Sequence, residues 1–134
     1  GMCHLDADMT RQGLDALGTA DLDLVVLENV GNLVCPVGYD LGHDTKIGLL
    51  SVTEGEDKIV KYPRLWREAD LVLLTKADLL PHVPFRLERF MDDLRQLNGT
   101  VEVIHVSSTS GEGLDAWFEW LRARRATQSA TPAT

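Results

Sequence analysis

A short polar turn follows one apolar stretch of the sequence, and its residue types suit the recognition of a nucleobase. Residues 70–81 read DLVLLTKADLLP, in which an apolar run ends at Thr75-Lys76-Ala77-Asp78. The Asp78 carboxylate can accept hydrogen bonds from two adjacent N–H groups, a pattern that guanine presents at N1 and N2 and that adenine does not. The Lys76 side chain can lay its methylene stem along the base and ribose. The alternative is an ordinary strand end with surface charges.

A second candidate base-binding loop is SSTSGEGL, residues 107–114, which follows another apolar run. Backbone N–H groups at such a position can donate to the guanine O6, and the small Ser107 and Ser108 leave room for the base. The alternative is a plain strand–turn–helix connection with Ser110 or Gly111 near the helix start. Both interpretations can hold at once.

Two cysteines and a histidine form a candidate metal site. Cys3 and His4 are adjacent, and Cys35 lies in NLVCPVG, residues 32–38. Thiolate and imidazole ligands favour zinc, nickel or copper over calcium or magnesium. The alternative is that these are unrelated small residues, because 30 positions separate the two cysteines.

A guanine-reading protein is expected to bind the nucleotide's phosphates as well. The turn Thr75 to Asp78 has the form of the N-K-x-D motif of GTP-binding proteins, with threonine in place of asparagine. Such proteins carry a glycine-rich G-x-x-x-x-G-K-[ST] loop, and these 134 residues contain no such sequence. The turn is therefore either a coincidence or part of a larger protein.

Alternating strand and helix patterns predict an α/β fold with a mostly parallel sheet flanked by helices. The ligand-binding residues of such sheets follow the carboxyl ends of the strands, and the candidate loops do so. The predicted strands are residues 22–28, 46–53, 70–76 and 101–107, and the predicted helices are Leu5–Leu17, Tyr62–Ala69, Phe85–Leu97 and Gly113–Arg125.

Composition excludes several classes of protein. A net charge of −8 argues against a nucleic-acid partner. The longest apolar stretch falls well short of the roughly 18 residues that suggest a membrane span, so no membrane association is expected. The N-terminus is polar and acidic and does not have the pattern of a signal peptide. Two cysteines are too few for a disulfide framework, which predicts a cytoplasmic location with reduced thiols.

Several segments together resemble the HypB family, the nickel-incorporation GTPases of hydrogenase maturation. The resemblance extends from Cys3 to about Leu121, and ENVGNLVCP is its most specific segment. The matching segments are LENVGNLVCPVGYDLG (27–42), LLSVTEGEDK (49–58), KYP (61–63), ADLVLLTKADLLP (69–81) and SGEGLDAWFEWL (110–121).

The resemblance implies a homodimerising P-loop GTPase that uses GTP with Mg²⁺ and delivers nickel to [NiFe]-hydrogenase. Its expected partners are a nickel-donating accessory protein and the hydrogenase large subunit, and the metal is Ni²⁺ or Zn²⁺. By motif match, the metal ligands are Cys3, His4 and Cys35, the base-binding residues are Lys76, Asp78, Ser107 and Ser108, and the switch residues, as catalytic candidates, are Glu28 and Gly31.

The family's phosphate loop precedes the segment that begins this chain, so the resemblance implies a C-terminal portion of a GTPase domain. Residues 1–125 are expected to form this partial domain, and residues 126–134 a disordered tail. The polypeptide alone is expected to be inactive. The alternative function is a non-catalytic metal-binding or dimerisation module.

Overall fold

The computed structural model describes Gln12, Asp15, Ala16 and residues 45–130, with side chains described as far as Arg124. By compactness the chain divides into two units, residues 1–45 and 46–134. Gln12, Asp15 and Ala16 are helical and exposed, within the helix predicted for Leu5–Leu17. The strand predicted for residues 22–28 lies outside the described residues. The assignment of residues 1–125 to one partial domain therefore stays a prediction.

The described part of the second unit contains a parallel sheet of three strands. These are β1 (Ile47–Ser51), β2 (Leu71–Thr75) and β3 (Glu102–His105), in the spatial order β1-β2-β3. All four residues from Leu71 to Leu74 are buried, as expected for a central strand that is covered on both faces. The predicted parallel sheet with flanking helices is confirmed.

Helices connect the strands, as a parallel arrangement requires. Pro63 occupies the first turn of its helix, where its missing N–H leaves no bond unmade. The α-helices are α1 (Lys58–Lys61), α2 (Pro63–Glu68), α3 (Leu87–Leu97) and α4 (Leu114–Ala130), and a 3₁₀ helix spans Ala77–His82.

The last helix covers one face of the sheet. Leu73 and Ile104 lie on this face and are buried together with Leu71 and Val106. Half-buried hydrophobic side chains, Ile47, Leu114, Trp117 and Trp120, pack against this cluster. The indole rings of Trp117 and Trp120 stack with their centroids 6.2 Å apart. The two tryptophans therefore contribute to the hydrophobic core on this face of the sheet.

Helix α2 covers the opposite face through Trp66, which is fully buried and donates from Nε1 to the Lys58 carbonyl at 3.0 Å. A Cβ at Gly48 would lie 2.9 Å from the Trp66 ring, so this close approach requires glycine. Asn98, just beyond α3, donates from Nδ2 to the carbonyls of Trp66 and Ala69 at 3.1 and 2.9 Å. It thereby adds hydrogen bonds to carbonyls at the C-terminal end of α2, where no further turn of helix follows to supply N–H donors.

The end of α4 differs from the prediction. The helix continues to Ala130, whereas the sequence predicted a helix that ends at Arg125 and a disordered tail from residue 126. The tail has no apolar periodicity, but ATQSA contains no glycine or proline, so helix propensity extends the last turns. The first proline after the helix start is Pro132.

Candidate functional site

The parallel register brings three polar loops to one edge of the sheet. Ser51, Thr75 and His105 are the last residues of the three strands. Ser51 is paired with Thr75, and Leu74 with His105. The segments that leave these strands therefore start side by side at the carboxyl edge, where ligands bind in open α/β sheets.

The turn after β2 is anchored on both sides. The Thr75 carbonyl accepts a hydrogen bond from the Val52 N–H at 3.1 Å. Two residues later, the Ala77 N–H donates to the Val106 carbonyl at 3.0 Å. Lys76 lies between these two bonded residues, so its backbone conformation is fixed by its neighbours.

Lys76 adopts the left-handed conformation, with φ 56° and ψ 38°, and it alone does so among the non-glycine residues that the structure describes. A left-handed conformation costs a β-carbon-bearing residue energy, and such strain accumulates at binding sites. The side chain is exposed, and its ammonium forms no ion pair within residues 45–130. The turn thus presents a cation beyond the sheet edge.

Asp78 and Ser107 join the turn after β2 to the loop after β3. The Ser107 hydroxyl donates to Asp78 Oδ1 at 2.7 Å. Ser107 is buried, with 1% of its surface exposed, and Asp78 is half-buried. The two candidate base-binding loops are therefore in direct contact through their functional side chains.

The loop after β3 is closed by bonds to the backbone of Ser107. Its N–H donates to the Glu112 carbonyl and its carbonyl accepts from the Gly111 N–H, both at 2.9 Å. Because the Ser107 N–H is occupied, it is not available to a ligand. The amides of Ser108 and Thr109, by contrast, donate to no protein acceptor in the described part of the chain, and both residues are exposed.

Two glycines allow the loop to turn into α4. Gly111 and Gly113 have φ values of 84° and 75°, which favour glycine. A Cβ at Gly113 would collide with the carbonyl oxygen of His105, whereas one at Gly111 would meet no atom within 4 Å. Gly113 therefore lets the start of α4 lie directly against the end of β3.

The loop after β1 forms its own hydrogen-bonded turn. Glu54 accepts a bond from the Ser51 N–H at 2.8 Å through its carboxylate, and the hydroxyls of Ser51 and Thr53 are 2.7 Å apart. Further along the chain, the Asp57 carboxylate accepts a hydrogen bond from Lys61. This bond lowers the pKa of Asp57, and desolvation opposes the shift only in part. The carboxylates of Glu54 and Asp57 are therefore both engaged in hydrogen bonds within this part of the chain.

Five candidate residues lie outside the described residues: Cys3, His4, Glu28, Gly31 and Cys35. Their metal-binding and switch roles stay predictions. Within the described ranges, no cluster of three histidine, cysteine, aspartate or glutamate residues could hold a metal ion. The part of the chain seen in the structure therefore offers no competing metal site.

The described site has the chemistry of a base-binding edge. Asp78 provides a carboxylate acceptor, the amides of Ser108 and Thr109 provide donors, and Lys76 provides an apolar stem with a charged end. Ser110, whose N–H donates to the Ser107 hydroxyl at 3.1 Å, and Thr109, whose amide is free, were not among the predicted base-binding residues. Neither could be found from residue types, since both contributions come from the backbone.

Comparison with known proteins places the chain among related sequences. Residues 1–105 match the family described as "CobW/HypB/UreG, nucleotide-binding domain". The chain is 49% identical over 126 residues to the hydrogenase maturation factor HypB of Azotobacter vinelandii and 48% identical over 123 residues to that of Escherichia coli K12. These matches cover 94% and 92% of the chain.

Two solved structures are similar. The chain aligns with HypB from Archaeoglobus fulgidus at a TM-score of 0.83 and 38% identity over 90% of its length. It aligns with HypB from Helicobacter pylori in complex with nickel at a TM-score of 0.89 and 34% identity over 98% of its length. The chain spans 42% of the length of the two curated relatives and 63% of each solved chain.

None of the helices that the structure describes combines the length and the apolar character needed to cross a membrane.

Proposed function

Because this chain belongs to the CobW/HypB/UreG family of nucleotide-binding domains, we propose that it carries the guanine-reading part of a GTPase that inserts nickel into [NiFe]-hydrogenase. The observation that carries the proposal is the bond between Ser107 and Asp78, which unites two loops that sequence patterns separately assign to one base. The names of the curated relatives support the role in hydrogenase maturation.

The base is read by complementary groups at the sheet edge. Asp78 accepts from guanine N1–H and N2–H, and the amides of Ser108 and Thr109 donate to O6. Lys76 lies with its stem along the base. Adenine has an acceptor at N1 and an amino group at C6, so both sets of contacts would be reversed, and a buried polar group left without its partner costs about 1–3 kcal/mol.

The phosphates and Mg²⁺ are bound in a longer form of the protein that includes a phosphate-binding loop. Transfer of the γ-phosphoryl group depends on positioning and charge stabilisation by such a loop, its lysine and its Mg²⁺-binding hydroxyl. These 134 residues contain no such motif, and we propose that a polypeptide of these residues alone does not hydrolyse GTP.

Nickel is the cargo, and Cys3, His4 and Cys35 are its proposed ligands. Two thiolates and an imidazole suit Ni²⁺ and Zn²⁺. Three ligands are one short of a closed tetrahedral site, which leaves a position for water or for a group from another protein. An open position suits a protein that must release its metal. The relative from Helicobacter pylori was solved with nickel, which supports a nickel ligand in this family.

The proposed partners follow from the same role. A second copy of the chain can supply the missing metal ligand across a two-fold axis. A nickel-donating accessory protein supplies the metal to this protein, and the hydrogenase large subunit receives it. We place the process in the cytoplasm.

Hydrolysis assays on two polypeptides test the proposal. A longer form that includes the phosphate-binding loop should hydrolyse GTP, and Asp78→Ala should abolish its preference for GTP over ATP. The 134-residue polypeptide should show only background hydrolysis. Turnover by the short polypeptide that disappears with Asp78→Ala would contradict the proposal. Absence of turnover in both forms would favour the non-catalytic metal-binding module.

A further inference from the structure

One strand of the sheet is only partly covered on the face against which α4 packs. Residues that pair in register lie on the same face of a parallel sheet, so Leu49 of β1 lies beside Leu73 of β2. Leu73 is 5% exposed in the core cluster, whereas Leu49 is 53% exposed. Ile47, two residues earlier in β1, is half-buried against the same cluster. An apolar strip of β1 therefore remains open beside α4.

An apolar stripe runs along one flank of α4. Phe118 is 43% exposed, and Leu114 and Leu121 are half-buried. These residues are four and three positions apart, so they lie one above another on the same flank of the helix. Trp117, which packs against the core cluster, marks the face of α4 that points to the sheet. The stripe therefore lies at the side of the helix and not on the face farthest from the sheet.

Helix α4 runs antiparallel to the strands. It starts at the carboxyl end of β3, where Gly113 lies against the His105 carbonyl. Further along the helix, the guanidinium of Arg124 lies 3.8 Å from the Asp70 carboxylate, just before β2. When the strands are drawn pointing up, the helix therefore runs down.

The handedness of the fold places the apolar stripe on the β1 side of α4. Helix α3 packs with α2 on the opposite face of the sheet. The right-handed connection that parallel strands follow, here from β2 through α3 to β3, puts β1 to the right of β2 when the sheet is viewed from α4. In a right-handed helix that runs down, the residue after one that faces the sheet points to the right. Phe118 follows Trp117, so it points toward β1.

The strip and the stripe together line one groove, which we call the α4–β1 groove. Ile47 and Leu49 form its floor, and Leu114, Phe118 and Leu121 form one wall. All five lining side chains are hydrophobic. Because parallel sheets are covered by helices on both faces, an open strip of this kind is expected to bind a further apolar element.

We propose that the α4–β1 groove is the seat of an amphipathic helix from the phosphate-binding part of the protein, an inference that rests on the proposed function. The occupant must present an apolar face, because the lining side chains offer no group for an ion pair or a hydrogen bond. The chain spans 42% of the length of its two curated relatives, so a longer form has ample length for such a segment.

The position of the groove suits the geometry of a bound nucleotide. A phosphate-binding loop joins a strand to a helix, and the phosphates lie at the N-terminus of this helix. A helix that lies in the groove antiparallel to the strands, as α4 does, has its N-terminus at the carboxyl edge. There it is beside the loop after β1, one strand away from Asp78 in the turn after β2. The groove therefore sets the position of the phosphate-binding loop relative to the base-reading loops.

Hydroxyl-radical footprinting, read by mass spectrometry, provides the test. It compares the 134-residue polypeptide with a longer form that includes the phosphate-binding loop, both without nucleotide. Phe118 and Leu49 should be modified readily in the short polypeptide and several-fold more slowly in the longer form. Val60 is the matched control, because it is 57% exposed and lies on α1, outside the groove. Equal modification of Phe118 and Leu49 in the two forms would overturn the inference.

A photoreactive benzophenone amino acid in place of Phe118 identifies the occupant. In the longer form, its cross-link should map to the helix that follows the phosphate-binding loop. A cross-link to another segment, or to a second copy of the chain, would overturn the inference.

A stability measurement checks the same packing without a reactive probe. Leu49→Gln should lower the Tm of the longer form by about 5 °C, because it places a polar group in a buried apolar contact. The same substitution should change the Tm of the 134-residue polypeptide much less, since Leu49 is exposed there. Val60→Gln is the control and should have little effect in either form. Equal losses from Leu49→Gln in both forms would contradict the proposed packing.

The outcomes separate this inference from the proposed function. A longer form that protects Phe118 and Leu49 but hydrolyses no GTP would overturn the proposed function and leave the packing in the groove intact. A longer form that hydrolyses GTP while both side chains stay reactive would overturn the inference alone.

Discussion

The Ser107 hydroxyl lies 2.7 Å from Asp78 Oδ1, although 29 residues separate the two positions in the sequence. The adjacent residues are bonded as well, through the Ala77 N–H and the Val106 carbonyl. A side-chain bond and a backbone bond thus tie together the loops that follow β2 and β3. A substitution that displaces one of these loops should therefore also change the conformation of the other.

Substitution of the two loop glycines should have unequal effects. Gly113→Ala places a Cβ against the His105 carbonyl, while the Cβ of Gly111→Ala enters open space. Both variants incur the strain of a positive φ, which costs about 1 kcal/mol or more. Gly113→Ala should cost at least about 2 kcal/mol beyond that, because backbone atoms must move. Urea denaturation of both variants measures the difference, and equal losses would contradict the close approach.

Lys76→Gly should make the protein more stable than Lys76→Ala. Both variants remove the same side chain beyond Cβ, but only glycine relieves the left-handed strain at φ 56°. The expected difference in the free energy of unfolding is about 1 kcal/mol. Thermal or urea unfolding measures it. A more stable alanine variant would show that the turn does not strain this residue.

The Glu68 carboxylate should stabilise the folded protein at neutral pH, and this contribution should be lost in acid. Hydrogen bonds from Lys46 and then Arg64 lower the pKa of Glu68 from its ordinary value of 4.5. A carboxylate with a lowered pKa stabilises the fold above its unfolded-state pKa, and this contribution is lost as the pH falls through its folded-state pKa. Side chains in this pair are more than one-third exposed, so solvent screening limits the effect to about 0.5 kcal/mol.

Urea denaturation of wild type and Glu68→Gln at pH 7 and pH 3 measures this contribution. The variant should be less stable at pH 7, and the difference should shrink at pH 3. Glu102→Gln is the matched control, because Glu102 is exposed and has no ion pair within the part of the chain that the structure describes. A constant difference at both pH values would exclude the carboxylate pairing as its cause.

Metal binding should require Cys35. Calorimetric titration with Zn²⁺ or Ni²⁺ should show about one ion per chain, or one shared between two chains, and Cys35→Ala should bind much more weakly. Affinity should decrease as the pH falls, because protons compete for the thiolates and the imidazole. His82→Ala is a suitable control, since His82 is exposed and outside the proposed ligand set. Equal affinity of the wild type and Cys35→Ala would remove Cys35 from the site.

The sequence predicted most of the described fold because the signals are local. The apolar run from Leu71 to Leu74 is a buried central strand, and the helix predicted for Phe85–Leu97 is present as α3. Periodicity does not report the ends of elements, and α4 extends to Ala130 because no helix-breaking residue stops it. Helix α1 was not predicted, since its four residues are too few for a periodic pattern.

The residues of the candidate site could be predicted from the sequence, but the hydrogen bonds that join them could not. Strand ends placed Asp78 and Ser107 at the same edge of the sheet. In the structure, Ser107 contacts Asp78 through its hydroxyl and not through its amide, because the amide donates to the Glu112 carbonyl. This arrangement depends on the fold of a glycine-containing loop. The bond from the Ser107 N–H to Glu112 joins backbone groups that every residue carries, so residue identity gives no signal for it.

The base preference of Asp78→Asn tests the central claim most directly. Since Ser107 donates to Oδ1, the amide introduced by this substitution should keep its oxygen toward Ser107 and present its NH₂ to the base. That arrangement accepts from N1–H and donates to the O2 of xanthine, whereas the guanine amino group meets a donor. In a longer form of the protein that includes a phosphate-binding loop, nucleotide titrations should show a preference for GTP in the wild type and for XTP in the variant. The change in the GTP-to-XTP affinity ratio should be large, about 100-fold or more. An unchanged preference for GTP in a folded Asp78→Asn variant would show that this turn does not read the base.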